Sequence, residues 1–114
     1  MKSGAEADKL YIAHMLECIE RVLSYTKDGE GTFRQSHLIQ DAVIRNLQVM
    51  AESSQRLSDS AKARSASTPW RAISGFRNIV VHDYLGLDLG VVWGVVSKEL
   101  PALKLALQQL KGQP

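Results

Sequence analysis

The feature that most constrains the fold of this chain is the spacing of its apolar residues, which recur at steps of three and four. One such stripe runs through residues 10–23, a second through 38–57 and a third through 89–110. Because residues three and four apart share a face of an α-helix, this period predicts helices rather than strands. Two valine-rich segments, 79–81 and 91–96, are ambiguous by themselves, but the helical pattern on both sides of each favours helix.

Turn and capping residues divide the first half of the chain. Asp8 is a candidate N-cap for a helix over residues 8–26, which the polar, glycine-flanked stretch 27–31 ends. A short turn over 32–34 then precedes a second long helix over 36–57. The Ser- and Ala-rich stretch that follows carries no apolar stripe, which predicts a mobile connection with at most a residual helical turn.

The second half of the chain holds two further helix signals. A capping hydroxyl followed by proline, Thr68-Pro69, starts a third helix that should run to near Gly86. Gly75 in its middle costs roughly 1 kcal/mol against alanine, which suggests a close approach by another helix. Asp88 is the predicted N-cap of the last helix, which Pro101 must kink or restart.

Length and composition fix the scale of the fold. At 114 residues and 45% apolar content, the chain is predicted to be one domain, residues 1–114, with a single core. We therefore predict an all-α, four- to five-helix up-and-down bundle. The net charge of +2 is weak support for nucleic-acid binding, which usually goes with a concentrated basic patch.

Composition also bears on chemistry and location. The single cysteine, Cys18, lies in a helical pattern that favours a buried thiol, and it excludes an intramolecular disulfide. We expect no metal and no cofactor, because the chain has no Cys/His set and no carboxylate cluster. No apolar run approaches the ~18 residues of a membrane span, and the N-terminus lacks a signal-peptide core. We therefore expect a cytoplasmic protein without membrane contact.

Residues 76–85 contain an arginine, an asparagine, a histidine, an aspartate and a tyrosine close together. At about 100° per residue, Asn78 and His82 are one turn apart and can touch, and Arg77 shares another face with Tyr84. Arg77 and His82 lie about 140° apart, so a site that uses both needs a wrapping cleft or a second copy of the helix. A two-fold dimer supplies that copy. The residues alone also allow a structural role, with the histidine in a core or interface and the arginine on a solvated edge.

A family resemblance favours the functional interpretation. Arg77-x4-His82-x-Tyr84, with Asn78 after the arginine, resembles the signature of the HepT proteins, a branch of the HEPN superfamily. The likeness extends to Asp41-Ala42-Val43-Ile44-Arg45-Asn46-Leu47 with Glu52, Pro69-Trp70-Arg71-Ala72-Ile73-Ser74-Gly75, Val92-Trp93 and Leu100-Pro101-Ala102-Leu103. At Ala51-Glu52-Ser53 family members often have Gly-Glu-Ala, so the glutamate is kept and the changed residues are small. The resemblance implies a HEPN-like bundle and a homodimer whose motif helices meet across a cleft.

The resemblance also implies a metal-independent ribonuclease. RNA carries its own nucleophile, the 2′-OH, so an enzyme need only move protons and stabilise the phosphorane. His82 would be the general base or acid, and Arg77 would bind the scissile phosphate. Asn78 would orient the phosphate or hold His82 in one tautomer, with Asp83 as a further supporting residue. The RNA target, for example a tRNA or an mRNA, cannot be read from the sequence.

A partner is implied as well. HepT-like proteins are toxins of type VII HEPN/MNT toxin–antitoxin systems, paired with an MntA-like minimal nucleotidyltransferase antitoxin. In that family the antitoxin attaches AMP to the tyrosine of the motif, so the resemblance implies Tyr84 as the acceptor. An adenylylated Tyr84 would place phosphate near Arg77, compete with RNA and block the cleft. Taken alone, Tyr84 could also be a half-buried aromatic whose hydroxyl reaches the surface.

The sequence also allows two other functions. The chain could be a non-catalytic helical dimer that docks onto and regulates a nucleotidyltransferase, with Arg77 and His82 in a buried interface network. It could also bind a nucleotide without cleaving RNA, although it has no glycine-rich phosphate loop. Three cations, Lys62, Arg64 and Arg71, could steer a phosphate backbone, but a solvated loop is the favoured interpretation of that stretch.

Overall fold

The molecule is a bundle built from long helical segments that short helices connect. The computed structural model describes residues 4–82 and 88–112, with side chains over 4–76 and 88–112. In chain order the elements are α1 (Gly4–Tyr25), α2 (Glu30–Gln35), α3 (His37–Arg56), α4 (Asp59–Ala63), α5 (Trp70–His82), α6 (Leu89–Gly94), a π-helical turn (Val95–Glu99) and α7 (Leu100–Lys111). No strand occurs in these described ranges, which confirms the all-α prediction. None of their helices is long and apolar enough to cross a membrane.

The core forms where α1 and α3 run antiparallel to each other. Asp8 of α1 bonds to Ser58, and the Nδ1 atom of His14 lies 3.3 Å from the Ser53 hydroxyl, so the two helices pair in opposite directions. α5 packs on the other side of α3, and α7 packs on α1. The large side chains at the centre are Met15, Ile19, Val22, Phe33, Val43, Leu47, Met50, Leu100 and Leu107.

Asp8 has a different role from the predicted one. α1 begins at Gly4, so Asp8 lies inside the helix and is not its N-cap. Its buried carboxylate accepts hydrogen bonds from the Ser58 backbone N–H at 2.9 Å and from the Ser58 hydroxyl at 2.6 Å. The Ser58 hydroxyl in turn accepts a bond from the Ala61 N–H and caps α4. Asp8 therefore ties the start of α1 to the turn between α3 and α4.

The connection between α3 and α5 is more ordered than the sequence suggested. The residual helical turn that was predicted is the five-residue helix α4. After it, the Trp70 indole N–H donates to the carbonyl oxygens of Lys62 at 3.1 Å and Ser65 at 3.0 Å. The hydroxyl of Thr68, the predicted helix cap, lies 2.6 Å from that of Ser65. The predicted mobile connection is therefore a short helix followed by a hydrogen-bonded turn.

The last helical segment follows its predicted signals. The Asp88 carboxylate accepts bonds from the N–H groups of Gly90 at 2.8 Å and Val91 at 3.4 Å, which confirms it as the N-cap. Just before Pro101 the α-helix changes to the π-helical turn. Proline has no N–H and its ring crowds the carbonyl four residues earlier, so the wider turn relieves the clash that a continuous α-helix would impose.

Gly75 does not mark a close helix contact, and that prediction was wrong. Among the residues that the structure describes, none has an atom within 4 Å of a Cβ built at this position. α5 instead meets α3 one residue earlier, where the Ser74 hydroxyl lies 3.3 Å from the Ser54 hydroxyl. The Gln55 side chain also donates to the Ser74 carbonyl at 3.3 Å. Gly75 therefore opens onto free space in the middle of the motif helix.

We expect Gly75→Ala to raise the free energy of unfolding by about 0.5–1 kcal/mol, because alanine favours the helix and no neighbour opposes its methyl group. Urea denaturation followed by circular dichroism measures this difference. Gly90→Ala is the matched control, since its Cβ would lie 3.1 Å from Asp88 Oδ1 and 3.3 Å from the Arg34 guanidinium. The free energy of unfolding should rise less in Gly90→Ala than in Gly75→Ala. A loss of stability in Gly75→Ala would show that another group, such as a second copy, fills the space.

Candidate functional site

The polar residues of the motif belong to α5 and the segment just beyond it. Arg77, Asn78 and His82 all lie within α5, and the predicted end of this helix near Gly86 lies outside the described residues. By helical register Asn78 and His82 are one turn apart, whereas Arg77 and His82 are about 140° apart around the axis. The predicted supporting residue Asp83 and the predicted AMP acceptor Tyr84 lie outside the described residues. A single copy of α5 therefore does not present positions 77 and 82 on one face.

The first half of α5 shows how this helix is oriented in the bundle. Ser74 contacts α3 through its hydroxyl, and Arg71 is exposed to solvent. Around the helix axis, position 77 lies about 60° from Ser74 and about 120° from Arg71. Positions 78 and 82 each lie about 20° from Arg71 around the axis, and position 78 also lies about 40° from Ser74. The two halves of the motif thus follow two different sides of the helix.

An open apolar groove of about 720 Å³ borders the start of α5. Its walls are α5, the connection before it, and the segment from α6 to α7. The apolar lining includes Ile73, Phe76, Val91, Val95, Leu103 and Leu105. On its rim Val91 is 53% exposed and Leu105 is 63% exposed. Large exposed apolar side chains around a groove are typical of a surface that binds another molecule.

Cys18 and His14 both lie on α1, and the burial of Cys18 confirms the prediction for its thiol. Cys18 is buried, and this burial raises the pKa of its thiol because desolvation disfavours the thiolate. The nearby guanidinium of Arg21 opposes that shift without cancelling it. His14 is exposed, with its ring nitrogen beside the Ser53 hydroxyl. Across residues 4–82 and 88–112, no three His, Cys, Asp or Glu side chains are grouped as a metal site.

This fold and motif correspond to a known family. The sequence profile of the family described as Ribonuclease HepT-like matches residues 15–110, a range that contains the whole of α5 and the Arg77-x4-His82 motif. The chain therefore belongs to the HepT-like ribonuclease family, as the resemblance of its motif predicted.

Individual relatives support the same assignment. The chain is 30% identical over 104 residues to the probable ribonuclease HepT of Thermococcus cleftensis, covering 90% of this chain and 94% of that protein. It is 29% identical over 126 residues to the mRNA nuclease HepT of Shewanella oneidensis, with the same two coverages of 90% and 94%.

A third relative is longer than this chain. The match is 39% identical over 97 residues to a Methanocaldococcus jannaschii protein named as a gamma-glutamylcyclotransferase and proposed RNase. It covers 84% of this chain but only 44% of that protein. No solved structure shows a significant match to this chain.

Proposed function

We propose that this chain is a homodimeric, metal-independent endoribonuclease and the toxin of a type VII toxin–antitoxin pair. The observation that carries the proposal is the HepT-like match over residues 15–110, with Arg77-x4-His82 on one helix inside it. The names of the relatives from Thermococcus and Shewanella, a ribonuclease and an mRNA nuclease, favour RNA as the substrate.

Cleavage of RNA can proceed on this chain's own residues. The 2′-OH attacks the adjacent phosphorus, and the bond from phosphorus to the 5′-oxygen breaks. The His82 imidazole accepts the proton of the 2′-OH or supplies one to the leaving oxygen, which contributes roughly 10²–10⁴-fold. The guanidinium of Arg77 binds the phosphate and stabilises the charge that develops on it. Asn78, one turn before His82, holds the imidazole in one tautomer or orients the phosphate, and Asp83 supports the site.

A second copy of the chain supplies the geometry that one α5 lacks. Arg77 and His82 lie about 140° apart on their helix, so a site that uses both gains from a residue of the partner. Ile73 and Phe76 of α5 line the apolar groove, and Phe76 directly precedes Arg77. A copy seated in this groove would bury Val91 and Leu105 and contact the first half of α5. We therefore assign the groove to the dimer interface.

We expect the double variant Val91→Glu/Leu105→Glu to be monomeric and to lose cleavage activity, because it places two charges in an interface that excludes water. Light scattering coupled to gel filtration measures the mass in solution. Leu38→Glu is the matched control, because Leu38 is 80% exposed on α3 and does not line the groove. If the double variant is still a dimer, the interface lies elsewhere on the molecule.

The proposed chemistry is tested by incubating purified protein with a panel of RNAs, including tRNA, in excess EDTA. We expect the parent protein to cleave and His82→Ala to lose roughly 10²–10⁴-fold in rate, as for the loss of a general acid or base. Arg77→Ala should lose about 10²–10³-fold through the missing charge stabilisation. His14→Ala is the control, because this exposed histidine lies on α1 and should leave the rate unchanged.

The intact mass decides what an inactive preparation means. An added AMP on the parent protein would indicate a silenced toxin, to be re-tested after removal of the modification. An unmodified dimer that cleaves none of the RNAs would contradict the ribonuclease proposal. That result would favour a non-catalytic dimer that docks onto a nucleotidyltransferase.

The proposed partner is an MntA-like nucleotidyltransferase that inactivates this chain by transferring AMP to Tyr84. We expect Tyr84→Phe to remain toxic and unmodified when the two genes are expressed together, because it lacks the acceptor hydroxyl. Growth and intact mass are the two readouts. Tyr25→Phe is the control, since Tyr25 is a tyrosine that is 39% exposed at the end of α1. Inhibition of Tyr84→Phe equal to that of the parent would rule out Tyr84 as the regulated residue.

A further inference from the structure

Positive charge is concentrated in the part of the chain that leads into and through α5. Residues 55–82 hold five of the fourteen basic side chains but only one of the twelve acidic ones. This stretch therefore carries a formal charge of +4, whereas the rest of the chain carries −2. The small net charge of the whole chain hides this asymmetry. A concentrated basic surface is the electrostatic signature of nucleic-acid binding.

The Trp70 indole holds the turn that carries Arg64 next to the start of α5. Its N–H donates to the carbonyl oxygens of both Lys62 and Ser65, so the turn that carries Arg64 is held against the start of the helix. Arg64 and Arg71 are both exposed, on the two sides of this contact. Because the backbone between them is fixed, the two guanidinium groups project from a defined surface rather than from a loose loop.

One side of α5 connects Arg71 to the motif. By helical register, positions 71, 75, 78 and 82 lie within about 60° of one another around the axis. Arg71 and His82 are eleven residues apart, which is about 17 Å along the helix. Gly75 lies between them, and its missing side chain leaves open space. Glycine disfavours a helix, but it allows a ligand to approach the backbone closely.

We propose that Arg64 and Arg71 bind backbone phosphates of the RNA strand several nucleotides away from the scissile bond, with the strand lying along α5 over Gly75. This inference rests on the proposed ribonuclease function and extends it to the path of the substrate. Arginine suits this role because its planar guanidinium forms paired hydrogen bonds with phosphate oxygens. The contacts are to the backbone, so they add affinity without selecting a sequence.

The two sides of α5 favour different occupants. Ile73 and Phe76 line the apolar groove, which suits a protein surface. Arg71, on the other side, is exposed and cationic, which suits a polyanion. A strand bound on the Arg71 side would therefore leave the groove available for the second copy. A phosphate backbone is the occupant that matches the charge, the exposure and the open space at Gly75.

The test measures RNA binding without cleavage, using His82→Ala as the parent. The anisotropy of a fluorescein-labelled single-stranded RNA gives the binding constant over a range of salt concentrations. Each phosphate contact to a single strand contributes about −0.7 to the slope of log K against log salt. Arg64→Gln/Arg71→Gln in that parent should therefore bind more weakly and reduce the slope by about 1.4.

The matched control removes two exposed cations from the other side of the bundle, in Lys27→Gln/Arg45→Gln. Lys27 follows α1, and Arg45 lies close enough to Cys18 of α1 to lower the pKa of its thiol. This control should keep the slope of the parent. Circular dichroism confirms that both double variants are folded.

The outcomes separate this inference from the proposed function. Equal slopes for the two double variants would overturn the inference, while cleavage by the wild-type chain would still support the ribonuclease. Unchanged RNA binding with lost binding of the partner nucleotidyltransferase would overturn it too and assign the cations to a protein interface. A reduced slope in a wild-type chain that cleaves no RNA would support the inference and contradict the catalytic proposal. No RNA binding by the parent would overturn the inference.

Discussion

The position of α3 between α1 and α5 is the constraint on which the rest of the molecule depends. α3 packs against both of these helices, and it meets α5 through the small side chain of Ser54. Ala51 and Ser54 are both fully buried there. The Ser54 hydroxyl donates to the Ala51 carbonyl at 2.7 Å and lies beside the Ser74 hydroxyl, so this buried polar group is satisfied. This contact fixes the rotation of α5, and with it the sides on which the motif residues lie.

The sequence was sufficient to predict those parts of the fold that local patterns determine. The helical period located the long segments, and Asp88 caps the last one as predicted. Asp8 also looked like a cap, but its partner is Ser58, 50 residues away, and no local pattern identifies such a partner. Gly75 was taken for a helix contact because both a contact and an open space can require the absence of a side chain. Only the neighbouring atoms distinguish these two cases.

In the candidate site, too, the sequence could predict some features and not others. The motif could be recognised because its residues are close along the chain. The match confirms the family that the motif indicated, while the roles of the individual residues stay predictions. The apolar groove could not, because its walls come from three separate segments. The favoured interpretation of the cations near residue 64 was a solvated loop, since nothing in the sequence indicated that the Trp70 indole would hold their turn in place. These hydrogen bonds hold that stretch in place, so it presents a defined surface.

The two tryptophans also make the protein its own spectroscopic probe. Trp93 packs against Phe33 with ring centroids 5.5 Å apart, near the beginning of α3, whereas Trp70 is hydrogen-bonded to carbonyl oxygens near the end of that helix. Because the chain contains only these two, removing either one leaves a single intrinsic fluorophore in a known environment. Emission from Trp70 would report opening of the turn that carries Arg64. Emission from Trp93 would report the opposite end of the bundle, so local and global unfolding become separately visible without any label.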